Sequence, residues 1–374
     1  MFKKVINWLH LWLGIASGLI LIVVALTGAL LTFEDELEPV LFRSSQVVTP
    51  AGQRLTVDSL VQVANTVFKD KKVSRLIIPA EADRSIEARI GEKKGLKVAY
   101  LDPYTGNVLY KGKYDGQFFQ QVRSLHRYLL LGPTGKVITG ISCSICLFLT
   151  ISGLILWWPA NKNAVKQRFK IKWNAKGKRL NWDLHAVSGF YISIFLLLIT
   201  LTGFVWSYDW AENLIYKLAD GKLEKEAKVK NKAKLKVAEA GIYQLMFNQM
   251  NKAYPYTGRV AFNLPAKPAL AVTVQKEPEE TAVRHVDAAF FDGHTAALIK
   301  QLPYEKLSDG AKIRRMILPI HTGSLLGWPT KLLYLIVSLF TASLPITGFL
   351  IWLGKKKKKA KPARRRKVAE PALA

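Results

Sequence analysis

The stretch LHLWLGIASGLILIVVALTG, residues 9–28, recurs in outline as LHAVSGFYISIFLLLITLTG at residues 184–203. In both stretches a histidine stands at the start of an apolar run, and a glycine follows it by four residues. The glycine of a Thr-Gly pair follows the same histidine by 18 residues. These residues are His10, Gly14 and Gly28 in the first stretch and His185, Gly189 and Gly203 in the second. The matched offsets predict an internal duplication.

Two further histidines, His126 and His321, obey a second shared spacing. Each lies just before an apolar run, 6 residues before a glycine (Gly132, Gly327) and 31 before a tryptophan (Trp157, Trp352). Four of the six histidines therefore stand at duplicated positions. Paired imidazoles at membrane depth are a ligand set for haem iron, so the pattern predicts bis-histidine haem.

Four apolar runs are long enough to cross a bilayer, which takes about 20 helical residues. They occupy approximately residues 6–33, 137–158, 184–208 and 332–353, and none contains Asp, Glu, Lys or Arg. A signal peptide is the alternative for the first run, but this run is about twice as long as the 7–15 residues of a signal-peptide core. An uncleaved membrane span is therefore expected. The expected fold class is a membrane α-helical protein with four transmembrane helices.

Basic residues next to the spans predict the orientation of the chain in the membrane. Of 55 Lys and Arg, eight lie in the segment 159–182, which has no acid, and ten lie in the tail 354–374. The loop 159–183, the tail and both termini are therefore expected in the cytoplasm, with segments 34–136 and 209–331 outside it. The net charge of +28 is then largely a matter of topology, so the expected partner is the lipid bilayer and no nucleic acid.

Each external segment is expected to form a small α/β module. Spacing and turn residues predict a helix, two strands and a hairpin in both, at 56–68, 73–79, 85–91 and 96–110 and at 242–254, 258–265, 269–275 and 288–299. The first hairpin turns on Asp-Pro-Tyr-Thr-Gly, and the second on Asp-Gly-His-Thr. The lysine-rich stretch 220–236 is expected to be a solvated helix or an insertion. Cys143 and Cys146, spaced C-x-x-C in the second span, are expected to be helix-packing residues.

The four spans, the two modules and the sequences VAYLDPYTGNVLY (98–110), LHRYLLLG (125–132) and PIHTGSLLG (319–327) resemble the PepSY-associated transmembrane family. Members include iron-regulated inner-membrane proteins, among them ferri-siderophore reductases with two b-type haems. The resemblance implicates His10, His126, His185 and His321 as axial ligands. The second module's turn, at 291–295, departs from the family pattern. Some relatives carry a fused flavodoxin-like reductase domain that is absent here, so the resemblance implies electrons from quinol or a cytoplasmic flavoprotein.

The predicted topology sorts the four histidines into two pairs. His10 and His185 begin their spans at the cytoplasmic face and form the inner pair, and His126 and His321 form the outer pair. Each pair would hold one six-coordinate haem b, without an open iron position. The alternative is that each histidine is an interfacial residue hydrogen-bonded to a carbonyl group. His285 and His294 have no matching partner and are expected in surface or module-packing roles.

Several other residues are candidates for supporting a haem. Gly14 and Gly189 lie one helical turn after a histidine, where a missing side chain would admit a flat macrocycle. Gly14 also forms G-x-x-x-G with Gly18, so close helix packing is the alternative. Arginines near the outer pair are candidates for haem propionates or lipid headgroups: Arg123, Arg127, Arg314 and Arg315. Tryptophans at the ends of spans two and four are expected to be membrane anchors, with packing on the inner haem as the alternative: Trp157, Trp158 and Trp352.

The resulting expectation is a haem-dependent oxidoreductase of the bacterial plasma (inner) membrane. It would carry electrons from the cytoplasmic side to an external ferric siderophore, in iron uptake. The sequence contains no hydrolytic motif and no phosphate-binding loop, so no catalytic side chain is assigned. The alternative is a PepSY-type binding or regulatory membrane protein without redox activity, and a haem or siderophore transporter is a weaker possibility.

Overall fold

The computed structural model describes residues 1–68, 72–91, 95–159, 165, 168–223, 229–231, 241–267, 269–279 and 284–359. Most of the lysine-rich stretch 220–236, part of the loop 159–183 and the tail from residue 360 lie outside the described residues. The predictions for those segments therefore stay predictions.

The helices and strands follow one another along the chain in a repeating order. The first half contains α1 (Phe2–Leu31), α2 (Glu34–Leu41), α3 (Arg43–Gln46), α4 (Val57–Val67), β1 (Val73–Ile78), β2 (Ile86–Ile90), β3 (Lys97–Leu101), β4 (Val108–Lys113), α5 (Phe118–Tyr128) and α6 (Gly132–Trp157). The second half contains α7 (Lys178–Ser207), α8 (Asp209–Asp220), α9 (Ile242–Ala253), β5 (Gly258–Asn263), β6 (Val272–Pro278), β7 (Asp287–Phe291), β8 (Leu298–Leu302), α10 (Asp309–Thr322) and α11 (Trp328–Lys359). Both halves thus run from a long helix through two or three shorter helices and four strands to another short helix and a second long helix.

Four of these helices are long and apolar enough to cross a membrane: Phe2–Leu31, Gly132–Trp157, Lys178–Ser207 and Trp328–Lys355. The helices α6 and α7 begin five and six residues before the apolar runs at 137 and 184. Backbone hydrogen bonding continues through polar residues at a helix end, whereas hydropathy marks only the part suited to lipid. His185 consequently lies well inside a helix.

The described chain divides into two compact units. One contains Met1–Leu26, Ile141–Thr200 and Ile336–Ala374, and the other contains Thr27–Gly140 and Leu201–Leu335. The first unit holds the larger part of each long helix. The second holds the segments 34–136 and 209–331, predicted to be external, together with the adjoining helix ends.

In the second unit, the strands of both external segments form one antiparallel sheet. Its eight strands have the order β4-β3-β2-β1-β5-β6-β7-β8, and β1 pairs with β5 at the centre. Leu76 and Phe262 face each other across that central pair and are both fully buried. The sequence predicted two separate modules, but each segment's first strand needs a hydrogen-bonding neighbour, and the two strands supply it to each other.

The helices α4 and α9 contribute to one hydrophobic core with this sheet. Thr56 caps α4 by accepting a hydrogen bond from the Ser59 N–H at 3.2 Å. Ile242, Met246 and Met250, spaced by four residues, present one buried face of α9 to the core. The predicted helix at 242–254 is therefore present, whereas β6 begins at Val272 instead of the predicted residue 269.

The second hairpin turn, which departs from the family pattern, has the same hydrogen bonds as the first. Asp102 accepts from the Gly106 N–H at 2.9 Å, and Asp292 accepts from the Ala296 N–H at 3.0 Å, in both cases through the backbone carbonyl. Gly106 has φ +75°, and Ala296 takes the equivalent left-handed position at φ +55°. The substitution thus adds local backbone strain and preserves the β7–β8 pairing.

Candidate functional site

The first unit brings His10 of α1 and His185 of α7 together. Their ring centroids lie 6.4 Å apart and their planes are nearly perpendicular, at 88°. Each ring is held by a hydroxyl group through Nδ1. The Ser152 Oγ is 2.7 Å from His10 Nδ1, and the Thr347 Oγ1 is 3.0 Å from His185 Nδ1. We call these two histidines with their hydroxyl partners the inner site.

Each hydroxyl group of the inner site also has a backbone carbonyl partner in its own helix. Ser152 donates to the Leu149 carbonyl at 3.2 Å, and Thr347 donates to the Ser343 carbonyl at 3.0 Å. When the hydroxyl proton goes to the backbone carbonyl, the hydroxyl oxygen is free to accept from a histidine Nδ1–H. Nε2 then carries the lone pair and is the nitrogen that would coordinate a metal.

The second unit brings His126 of α5 and His321 of α10 together in a similar arrangement. Their ring centroids lie 6.3 Å apart at 76°. The Thr27 Oγ1 is 3.1 Å from His126 Nδ1, and the Thr202 Oγ1 is 2.9 Å from His321 Nδ1. We call this set the outer site.

The outer site has an additional aromatic neighbour. The Trp206 ring lies edge-on to His321, with the centroids 5.0 Å apart. The guanidinium of Arg314 lies over the Trp206 ring, 5.7 Å from its centroid. Arg314 also donates to Glu212 at 2.8 Å, so α10, which carries His321, is tied to α8.

A glycine directly after the hydroxyl residue allows close approach of the imidazole. A Cβ added at Gly28 would lie 3.1 Å from the His126 Cε1, at Gly153 3.4 Å from the His10 Cε1, and at Gly348 3.2 Å from the His185 Cε1. Such separations are tighter than ordinary van der Waals contact. Glycine at these positions therefore lets the hydroxyl reach Nδ1.

The hydroxyl partners are residues that the sequence prediction missed. All four belong to a hydroxyl-glycine dipeptide within a span: Thr27-Gly28, Ser152-Gly153, Thr202-Gly203 and Thr347-Gly348. The offset from histidine to hydroxyl is 17 residues for His10 and His185, counting to Thr27 and Thr202, and 26 for His126 and His321, counting to Ser152 and Thr347. This fourfold repeat was visible in the sequence, but nothing in it showed which hydroxyl meets which histidine.

Both pairs fit the separation that one iron between two imidazoles requires. A metal–imidazole bond is about 2 Å long, so two rings bound on opposite sides of one ion have centroids roughly 6 Å apart. The observed 6.4 and 6.3 Å are compatible with this separation, and they are also the separations of ordinary edge-to-face ring contacts. The second ring nitrogen of an axial histidine normally donates to a fixed acceptor, as the hydroxyl groups here permit.

The glycines Gly14 and Gly189 have leucine neighbours. A Cβ at Gly14 would lie 3.8 Å from the Leu149 Cδ2, and one at Gly189 would lie 3.7 Å from the Leu344 Cδ2. These are ordinary contacts, and the predicted macrocycle contact stays a prediction. Gly18 is tighter, because a Cβ there would lie 3.1 Å from Pro345, and this favours close helix packing at that residue.

The arginines that were candidates for haem propionates have different protein partners. Arg123 forms an ion pair with Glu34 of α2, which ties α5 to that helix, and its Nε is buried without a hydrogen-bond partner. The guanidinium of Arg127 lies 5.1 Å from the Tyr128 ring centroid. Arg315 donates to the Val286 carbonyl at 2.6 Å. A propionate role for Arg123 and Arg127 stays a prediction.

The structure tests the prediction that the tryptophans at the end of the second span are membrane anchors. Trp157 is only 5 % exposed and stacks on Phe190 at 3.8 Å, so the prediction that it anchors in the membrane interface is wrong, because its indole packs inside the protein. Trp158, by contrast, is exposed.

Cys143 donates to the Thr200 carbonyl at 3.4 Å and Cys146 is buried, as expected of helix-packing residues.

The comparison with protein families agrees with the resemblance read from the sequence. The family model described as PepSY-associated TM region matches residues 7–355, nearly the whole chain. The protein therefore belongs to the PepSY-associated transmembrane family and is a multi-pass membrane protein. A search of curated proteins found no match.

Proposed function

We propose that this protein is a di-haem oxidoreductase of the bacterial plasma membrane that reduces extracytoplasmic ferric siderophores for iron uptake. The observation that carries the proposal is the twofold occurrence of a histidine pair with ring centroids 6.3–6.4 Å apart. A single buried histidine is often structural. Two pairs with the same separation, each ring oriented by a hydroxyl, fit axial ligation better than general packing.

The chain's own residues would hold and orient the cofactors. His10 and His185 would hold the inner haem b through Nε2, and His126 and His321 the outer one. The hydroxyl groups of Ser152, Thr347, Thr27 and Thr202 would keep Nδ1 protonated and fix each ring. Bound in this way, haem supplies one-electron transfer without an open coordination position for substrate.

The direction of transfer follows from the sequence topology. The basic loop and tail favour cytoplasmic termini, so electrons would enter near His10 and His185 from quinol or a cytoplasmic flavoprotein. They would leave near His126 and His321. One electron converts the chelated Fe(III) to Fe(II), which siderophores hold far more weakly. The modules, joined into one sheet, would provide the surface on which the ferric siderophore docks.

We also propose that the chain arose by internal duplication. The matched offsets of four histidines and four hydroxyl residues support this, as does the repeated element order. Ser152 of the first half contacts His10, and Thr27 of the same half contacts His126, whereas each histidine pairs with one from the other half. Neither half alone would then hold a haem.

The test is spectroscopic and uses the full chain expressed with added haem. We expect b-type absorbance with about two haems per chain, all in a low-spin bis-histidine state. The chemically reduced protein should then be reoxidised by a ferric siderophore without oxygen, with Fe(II) appearing in a chromogenic chelator. Purified protein without b-type absorbance would overturn the proposal and favour the PepSY-type binding role.

A further inference from the structure

The second external module contains a group of metal-ligating side chains that the proposed function does not use. His285, Asp287 and Glu305 each offer one ligand atom, and these atoms all lie within 4.8 Å of one another. His285 Nε2 is 3.3 Å from Asp287 Oδ2 and 3.6 Å from Glu305 Oε1. Bonds of about 2.0–2.2 Å to one metal ion place neighbouring ligand atoms roughly 3–3.5 Å apart. The group is thus already close to coordination geometry.

Hydrogen bonds and stacking hold two of the three ligands in place. Asp287 is 2 % exposed, and it accepts from the Tyr256 hydroxyl at 2.7 Å and the Tyr304 N–H at 2.8 Å. The His285 ring stacks on Tyr304 with centroids 4.5 Å apart. Ligands oriented by such outer contacts are typical of metal sites and lower the entropy cost of binding.

Two neighbouring cations, Arg284 and Lys276, have partners other than Asp287 and Glu305. Arg284 pairs with Glu277, and the Lys276 Nζ donates to Asn251 and to the Tyr254 carbonyl. Among the described residues, the ion pairs of Asp287 and Glu305 are with His285 alone. Two close carboxylates repel each other, and a bound cation would relieve that repulsion.

We infer that His285, Asp287 and Glu305 form a binding site for a divalent transition-metal ion. One imidazole with two carboxylates suits ions of the Zn(II), Fe(II) and Mn(II) kind, and the exposure of Glu305 leaves room for water ligands. The site is separate from the histidine pairs and needs no haem.

The test is calorimetric titration of Zn(II) into the chelator-treated full chain, with Mg(II) in excess to suppress weak carboxylate binding. Wild type and His294→Ala, a change in the other histidine without a matched position in the repeat, should bind one Zn(II). His285→Ala and Glu305→Gln should lose it. Glu305 is 69 % exposed, so its change leaves the fold intact even where a change at buried Asp287 does not. Tyr256→Phe should weaken binding about tenfold through the lost Asp287 contact.

The inference is overturned by a wild type that binds no Zn(II), or by His285→Ala binding as tightly as wild type. Haem content measured on the same samples separates this site from the proposed function. It should stay unchanged in His285→Ala and Glu305→Gln, and a chain without haem that still binds one Zn(II) supports the site while removing the proposed function.

Discussion

The inner and outer sites have nearly the same imidazole geometry, yet their histidines are presented in different ways. His10 and His185 lie within long continuous helices, so their positions follow from helix packing. His126 and His321 lie near the C-terminal ends of the short helices α5 and α10, which are followed by Leu129 and Gly323 in the left-handed conformation. Two different helix arrangements therefore give nearly the same ring separation.

The supports of the two sites also differ in charge. The outer helices are tied down by arginine–glutamate pairs, Arg123 with Glu34 and Arg314 with Glu212. The hydroxyl groups of the inner site are hydrogen-bonded to carbonyl groups of their own helices. The outer site should therefore respond to substitution of these arginines and glutamates.

The largest expected effect comes from removing histidines in combinations. His10→Ala with His185→Ala should remove one haem, because both changes hit one centre. His10→Ala with His126→Ala should remove both. Haem per chain, measured by extraction, is the readout. His294→Ala is the control and should retain two haems. Loss of both haems from the His10→Ala, His185→Ala variant would contradict the assignment of these two histidines to one haem.

Removing a single hydroxyl should weaken one site and spare the other. Thr347→Val takes the acceptor from His185 Nδ1, and Thr202→Val takes it from His321 Nδ1. Loss of such an outer contact typically costs about 10–100-fold in metal affinity, and haem retention during dilution measures it. Thr341→Val is the matched control on α11, because the Thr341 hydroxyl donates to the Val337 carbonyl of its own helix. If the control loses as much haem, the hydroxyl contacts have no special role.

Trp206 distinguishes the outer site from the inner one. Trp206→Leu removes the ring 5.0 Å from His321 and the surface that Arg314 covers, so it should shift the midpoint potential of one haem only. A redox titration followed by absorbance resolves the two centres. Trp210→Leu changes an exposed indole that contacts Phe204 and Tyr208, and it should shift neither potential. Equal shifts in both centres would contradict this assignment.

The smallest expected effect concerns the pH dependence of stability near α2. Burial, aided by the neighbouring Glu34, raises the pKa of Glu38 from 4.5 to about 7. The folded state therefore disfavours the ionised carboxyl, and stability is lost as pH rises from the ordinary pKa through 7. Glu38→Gln should unfold at a higher temperature than wild type at about pH 8 and show no gain at about pH 4.

The comparison for that measurement is Glu36→Gln. Glu36 forms an ion pair with Lys331 at 2.6 Å, so its neutralisation should lower the unfolding temperature at about pH 8. A destabilised Glu38→Gln at that pH would show that the Glu38 carboxyl is stabilised in its charged form.

Much of the candidate site was predictable because it rests on local patterns. Hydropathy identifies four spans, and the offsets from His10, His126, His185 and His321 identify the repeat without any structure. The turn residues likewise predicted both hairpins. What could not be predicted were contacts between residues far apart in the chain, such as Ser152 with His10 and Thr347 with His185. These depend on helix rotation, which an apolar sequence constrains weakly because lipid-facing and protein-facing residues are equally apolar.

The sequence by itself determined the membrane spans, the order of elements and the four matched histidines, because hydropathy and the spacing of residues can be read directly along the chain. Only the tertiary structure decided that the hydroxyl before each glycine faces an imidazole and that β1 and β5 join the two external segments into one sheet. It also placed His285 beside Asp287 and Glu305. Those outcomes depend on side-chain direction and strand pairing across the fold, which the periodicity of the chain leaves open.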